Sequence, residues 1–319
     1  MTIKRRNWSI YNKKLVERGR VTLYLRPAVL KQDIETKEMN DNKVGRPYRY
    51  GKALIFAIFA VKCFFRIGYR ETEGYIDDFS KVIGLNVVPN FRTIWRRVMK
   101  LNKEDIRFDV RPLRKNERIE VAIDSTGIKT VNDGEYRTRK YAKKKDWIKF
   151  HLTVDVKNGM ALTEDITMDR IHDNERFEKL LSPISENITA VEGDGAYDSE
   201  KSFKWCREHN VKCNVRVRIN ARLGHGERKK AVIEQFDIRK FRDRLGHYCK
   251  NSLSDNRDRR RYKQDQWKKK VGFGKRWMVE GAYSRFKSMF GEYIFSKKWD
   301  MMVKEIRAKL YVYNMTLTL

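Results

Sequence analysis

The stretch FGKRWMVEGAYSRFK, Phe273 to Lys287, places one carboxylate, Glu280, among four cations. Phe273, Arg276, Glu280 and Lys287 are three, four and seven residues apart, spacings that put all four on one face of a helix. A stripe of one aromatic, two cations and one acid is not a core stripe. Trp277 and Phe286 are the expected core positions of this helix. Arg276, one turn before Glu280, is set to orient it. Lys287, two turns after, is set to meet a phosphate. A lone acid in so basic a helix needs a chemical reason, and the rest of the chain supplies one.

The chain has 319 residues, with 72 Lys and Arg against 42 Asp and Glu, for a net charge of +30. Such a charge speaks to partners rather than to fold; the usual ones are nucleic acid and anionic membranes, and a highly charged protein with no polyanion partner is the plainer alternative. Aromatics sit beside the cations, as in Trp95-Arg96-Arg97 and Arg276-Trp277, and this favours nucleic acid over a membrane surface. The longest apolar run, Ala53 to Val61, is too short to span a bilayer. The start, MTIKRRNWSIYNKK, has cations without an apolar segment and is not a signal peptide. Cys63, Cys206, Cys213 and Cys249 are too sparse for a secreted framework and read as reduced thiols. The expectation is a cytoplasmic protein, associated with the nucleoid, with no membrane partner.

Period and punctuation divide the chain. Residues 1–50 are polar and read as an N-terminal arm and linker, ending in VGRPYRYG. The Gly-Arg-Pro there reads as a turn before a helix, or alternatively as a minor-groove arm. Residues 51–105 read as an all-helical, helix-turn-helix-like DNA-binding domain. Ala53–Phe65 is its hydrophobic core helix, and Glu71–Ile83 carries Tyr75, Ile76, Phe79, Val82 and Ile83 at helical spacing. Gly84 and Pro89 break the pattern, and Asn90 caps a short basic helix reaching about Lys100. In such a unit the first residues of the second helix face the bases, here Arg92, Thr93 and Arg96. A small helical bundle with a basic surface is the plainer alternative.

From Arg118 the period becomes that of strands: Ile119–Thr126, Trp147–Val156, Met160–Met168 after a Lys-Asn-Gly turn, Ile188–Asp194 and Val211–Val217. Helices at 174–181 and 199–209 alternate with the later strands. A hairpin followed by β-α-β pairing gives a mixed α/β sheet covered by helices, over residues 117–319. Within it, 218–272 is a basic segment that reads as a solvated face, or as a phosphate track beside a DNA site. The basic run at Tyr136–Trp147, with Lys143, Lys144 and Lys145, reads as a DNA-gripping loop beside Asp124, with a solvated loop as the plainer alternative.

Asp124 ends the first strand, Asp194 ends the fourth, and Glu280 lies on the late helix. Ligands gather at the carboxyl edge of such sheets, so side chains at adjacent strand ends converge there. Three convergent carboxylates need neutralising, and two divalent cations with oxygen ligands, as magnesium prefers, would do so. Two metals about 3.5–4 Å apart activate a nucleophile and stabilise the leaving oxygen of a phosphodiester. Taken singly, an Asp at a strand end is more often a turn or cap residue, and spacing alone does not choose Asp124 and Asp194 over Asp155 or Asp198.

On these motifs the chain resembles the DDE transposases of bacterial and archaeal insertion sequences. Their helix signature is Tyr-x2-Arg-x3-Glu-x6-Lys, and here it reads Phe273-x2-Arg276-x3-Glu280-x6-Lys287. Phe273 departs from the pattern and lacks a hydroxyl for DNA. AIDSTG and GDGAYDS match the family's first and second aspartate motifs at Asp124 and Asp194, and IHDNERF, with His172 and Asp173, resembles a further one. NWSIYNKKLVERGRVTLYL, GRPYRYG and GYRETEGYIDDF resemble the opening segments of insertion-sequence family five, so the likeness covers almost the whole chain. The resemblance implies an RNase H-like catalytic domain, with Asp124, Asp194 and Glu280 as catalytic metal ligands for two Mg2+ ions, Mn2+ substituting. Arg276 and Lys287 are then DNA contacts, and His172, Asp173 and Phe273 are supporting residues. It further implies cleavage at the terminal inverted repeats and strand transfer into double-stranded target DNA by a homodimer or larger synaptic assembly.

Two alternatives share the fold: a metal-dependent endonuclease without strand transfer, and a non-catalytic DNA-binding protein derived from a transposase. Cys206, His209 and Cys213, with His247 and Cys249, lack a Cys-x2-Cys pair, so zinc is the minor reading.

Overall fold

The computed structural model describes residues 7–318, apart from 21, 103, 107, 109–112, 131–146, 169, 224, 238–240, 243–247 and 250–256. The described residues group into two compact units. One draws on Met1–Arg111 and Phe286–Leu319, the other mainly on Pro112–Lys129 and Glu135–Arg285.

The first unit is helical. The stretch read as an arm is instead α1 (Trp8–Arg18), α2 (Thr22–Leu30) and α3 (Gln32–Asn40). Its apolar residues are too few to show helical periodicity, yet Tyr24, Leu25 and Ala28 of α2 are buried, with Tyr24 packing on Phe64. Pro27 lies inside α2, which further hides that helix from a reading of the sequence. The central helix α4 (Lys52–Phe65) is buried from Leu54 to Val61. Helix α5 (Tyr69–Ile83) starts where Glu71 accepts the Gly68 N–H and stops at Gly84, at φ 78°. Helix α6 (Phe91–Lys100) begins as expected, with Asn90 Oδ1 accepting the Thr93 N–H at 2.9 Å. Ile94 and Val98 anchor α6, leaving Arg92, Trp95 and Arg96 exposed.

The second unit is built on a mixed sheet of β1 (Ile119–Thr130), β2 (Trp147–Asp155), β3 (Ala161–Met168), β4 (Ile188–Gly193) and β5 (Lys212–Val215). These run in the order β3-β2-β1-β4-β5. The first three pair antiparallel, and β4 and β5 join in parallel. The β2–β3 turn needs Gly159, at φ 74°, where a Cβ would also come within 2.5 Å of the Arg285 guanidinium. Between β3 and β4 a 3-10 turn (Asp173–Arg176) leads into α7 (Phe177–Leu181), and α8 (Glu200–Glu208) precedes β5. Ile119, Val121 and Ile123 alternate into a core shared with Phe177, Leu181, Trp205, Val215 and Phe236. Helices α9 (Gly226–Phe236) and α10 (Arg257–Val271) occupy the basic segment, followed by a 3-10 turn (Phe273–Arg276) and α11 (Trp277–Phe290).

The last helix, α12 (Trp299–Leu317), groups with the N-terminal unit although the sequence reading keeps 117–319 together. Its charged composition conceals a buried element. Lys304 Nζ donates to the Met99 carbonyl, Lys309 pairs with Glu305 at 2.8 Å, and Glu305 also accepts from the Ser296 N–H and Oγ. Lys304, Glu305 and Lys309 are thereby paired or hydrogen-bonded, which is the condition for burying a charge.

Candidate active site

Sheet register brings the two aspartates together. The parallel β1–β4 ladder pairs Ala122 with Glu192, so Asp124 and Asp194 each stand two residues beyond its last pair. Asp194 directly follows β4, but Asp124 does not end β1 as expected: the strand runs on to Thr130 because its antiparallel pairing with β2 continues, Asp124 opposite Leu152. Asp194 Oδ1 accepts the Ala196 N–H at 2.8 Å and caps the Gly195–Tyr197 3-10 turn. Asp124 Oδ1 accepts the Ser125 N–H at 2.8 Å. Behind it, the buried Tyr283 hydroxyl of α11 donates to the Asp124 carbonyl at 2.7 Å and to Phe150 O at 3.0 Å, locking the helix to β1 and β2.

Arg276 joins the first aspartate to the helix acid. Its Nη1 lies 3.3 Å from Asp124 Oδ2, and its Nη2 donates to Glu280 Oε1. Burial pushes the Asp124 carboxyl up to about 6; the negative charges of Asp194 and Glu280 add to this, while the Ser125 N–H and Arg276 oppose it. Repulsion among three acids is thus already felt at Asp124, and a guanidinium holds two of them. Among the described residues, no group of three or more His, Cys, Asp and Glu is close enough to hold a metal ion.

The face geometry expected for the late helix changes at its start. Phe273 to Arg276 form a 3-10 turn with three residues per turn, so the 3.6-residue periodicity does not extend back through them. Phe273 is consequently buried against Trp267, with ring centroids 5.6 Å apart, and Trp277, expected in the core, is 62% exposed. Phe286 is buried as expected. Lys287 is half-buried in the last turns of α11.

Near the sheet edge a buried cluster completes the picture. His151 on β2 is fully buried, its Nε2 lies 2.9 Å from Thr167 Oγ1, and its Nδ1 is 3.4 Å from Asp173 Oδ1. Burial pulls His151 down to about 4, so it is neutral at pH 7. Asp173 also pairs with Lys149 Nζ at 3.0 Å, while His172 is exposed. The sequence offers one signal for His151, a polar residue flanked by the apolar Phe150 and Leu152. Cys63, Cys206 and Cys213 are free, and His209 stacks on Trp205 at 4.1 Å with no metal set around it among the described residues. Of the other expected DNA contacts, Arg92 and Arg96 are exposed on α6 and Thr93 is half-exposed; Lys143, Lys144 and Lys145 lie outside the described residues.

A sheet of this order, hairpin strands first and parallel strands beyond, with acids at its carboxyl edge, defines an RNase H-like domain. The chain belongs to the DDE transposases: the family described as "Transposase DDE domain" matches residues 115–315, and a second family of the same description matches 16–133. It is a DNA transposase, an enzyme of DNA cleavage and strand transfer, and it binds DNA. Among solved structures, a cryo-EM structure of a piggyBac transposase synaptic complex with hairpin DNA is similar over 92% of this chain and 73% of that chain, at 12% identity and a TM-score of 0.43. Enzymes of the family use divalent metal ions. The residues present suit such ions in charge and donor type: oxygen-only carboxylates, two of whose charges add to the raised proton affinity of Asp124, with a cationic side chain already between two of them. No helix among the described residues is long and apolar enough to cross a membrane.

Proposed function

We propose that Asp124, Asp194 and Glu280 are the catalytic carboxylates and that they hold two Mg2+ ions, with Mn2+ as a substitute. The observation that carries this reading is the bridge of Arg276 between Asp124 and Glu280, a cation held by two of the three acids. The metal ions, when bound, supply an activated water and stabilise the leaving oxygen at phosphorus. The chain's own part is to supply the oxygen ligands, to release Glu280 from Arg276 when the site fills, and to free Arg276 for a DNA phosphate. Lys287 supplies a second phosphate contact. Asp173 and His172 support the site through the loop after β3, and the buried Phe273 supports it from the turn ahead of α11.

The substrate is the terminal inverted repeat of the chain's own element. Cleavage exposes a 3′-hydroxyl, which then attacks target DNA, and both steps are in-line displacements that one site can serve. Two ends must be held at once, so the working form is a homodimer or larger synaptic assembly. An assay of cleavage and joining with uncut end DNA, target DNA, the purified chain and Mg2+ tests this. Joined products are the expected result, and cleavage without joining would reassign the chain as a nuclease.

The turn from α5 into α6 presents the first residues of α6 to the DNA end. Arg92 is exposed there, its guanidinium 5.7 Å from the Phe91 ring. Arg92→Ala is expected to weaken binding to the cognate end by about 1–3 kcal/mol while changing binding to unrelated DNA much less. Competition binding with the two DNAs measures this, and equal losses on both would make Arg92 a phosphate contact.

A further inference from the structure

The segment leaving β5 forms a basic cleft that the carboxylate site does not explain. The cleft has a volume of about 510 Å³ and is walled by Gly195, by Arg216 and Arg218 after β5, and by Arg261, Asp265 and Lys268 of α10. Four cations and one acid face one space. Asp265 is taken up by Lys268, 2.8 Å away. Among the described residues, Arg261 has only a loose, exposed pairing with Asp258 at 3.7 Å. Arg216 makes no side-chain hydrogen bond or ion pair among the described residues. Arg218 donates through Nε to the Gly195 carbonyl at 3.0 Å and remains exposed. Crowding cations in this way opposes folding unless an anion comes to them.

The backbone that carries these cations is held from below. Gln235 of α9 and Gln264 of α10 are 2% and 5% exposed. Gln235 Oε1 accepts the Val217 N–H at 2.9 Å and its Nε2 donates to Val215 O at 2.8 Å. Gln264 Nε2 donates to Val217 O at 2.8 Å and to Gln235 Oε1 at 3.2 Å. Burying two amides is tolerable only because these bonds are made, and their effect is to fix residues 215–217 around Arg216. On the next turn, Asp198 accepts the Arg218 N–H at 2.9 Å and is itself clamped by Arg228, at 2.6 and 2.8 Å. A solvated basic surface needs no such frame. A preorganised anion site does, because a fixed guanidinium loses less freedom on binding.

We infer that this cleft is a phosphate-binding subsite for a DNA strand, gripping backbone phosphates through Arg216, Arg218, Arg261 and Lys268 without reading bases. Gly195 directly follows Asp194, so the strand held here continues from the proposed reaction centre; its position beside catalysis, though not its anion binding, rests on the proposed function. The volume exceeds what one phosphate group needs, and four cations on its wall suit more than one phosphate of a strand.

The test measures binding of a fluorescent duplex to the full chain in EDTA across a salt series, so no catalysis is involved. Arg216→Gln with Arg261→Gln is expected to lower the slope of log K against log salt by about 0.9 per lost contact, close to 2 for the pair. Affinity should fall together on end DNA and on unrelated DNA. Arg216→Lys with Arg261→Lys should keep the slope, and Lys204→Ala, on the exposed face of α8, should leave it unchanged. An unchanged slope in the glutamine pair would overturn the inference. So would loss of binding to ATP or inorganic phosphate with DNA binding intact, which would mark the cleft as a free-nucleotide site. Failure of strand transfer alongside the expected slope change would instead count against the proposed catalytic role and leave the subsite standing.

Discussion

Glu280→Gln is expected to abolish cleavage, by a factor on the order of 10³ or more, while DNA affinity stays level or rises. A metal ligand contributes several kcal/mol to stabilising the transition state, and about 4 kcal/mol corresponds to that factor. Glutamine keeps the shape and the helix propensity but loses the charge. Glu280 is exposed, so folding should change by no more than about 0.5 kcal/mol. Its only described ion pair is with Arg276, which keeps Asp124 at 3.3 Å. Removing a negative charge from a basic surface favours phosphate binding, and this gives the prediction its sign. The measurement is single-turnover nicking of end DNA beside a binding isotherm for each protein. Cleavage within tenfold of the parent would place the third carboxylate elsewhere. Lost binding would make Glu280 a structural residue.

The second large effect concerns stability without metal. Asp124 titrates in the folded chain at about 6 against an ordinary 3.8. Between about pH 4 and pH 6 the folded state therefore holds more protons than the unfolded state, and stability falls as pH rises through that window. Above it the deficit is constant, at about 3 kcal/mol. Asp124→Asn should remove that deficit, raising the melting temperature of the EDTA-treated protein by several degrees at pH 7.5 and flattening its profile between pH 4 and 6. Thermal melts of both proteins from pH 4 to 8 read this directly. A variant less stable than the parent at pH 7.5 would mean that the carboxylate holds the strand end together instead of straining it. Stability given up at a reaction centre is the general pattern where function requires like charges in one place.

The strands of the second unit were legible because a half-buried strand writes its burial into alternating residues, as Ile119, Val121 and Ile123 do. The start of α6 was legible for a local reason as well, since Asn90 caps a helix with its own side chain. Helices α1 to α3 and α12 were not. Their faces are filled by residues that are apolar, or neutralised, only in the presence of partners far along the chain: Lys304 at the Met99 carbonyl, Asn314 at the Phe108 carbonyl, Tyr24 on Phe64. Trp277 and Phe273 exchanged their expected places because the 3-10 turn ahead of α11 shifts the rotation of the residues before it.

By itself the sequence determined which carboxylates to consider, the helix signature around Glu280, the basic character that calls for a polyanion, and the mixed sheet. Each is a matter of residue type and near spacing, which a linear chain carries. Only the tertiary structure decided that Asp124 within β1 and Asp194 after β4 lie just beyond the same parallel ladder, that Arg276 reaches Asp124 as well as Glu280, and that Gln235 and Gln264 brace the segment bearing Arg216. Those relations join residues 18 to 152 positions apart. Strand register and helix packing set them, and no local periodicity records either.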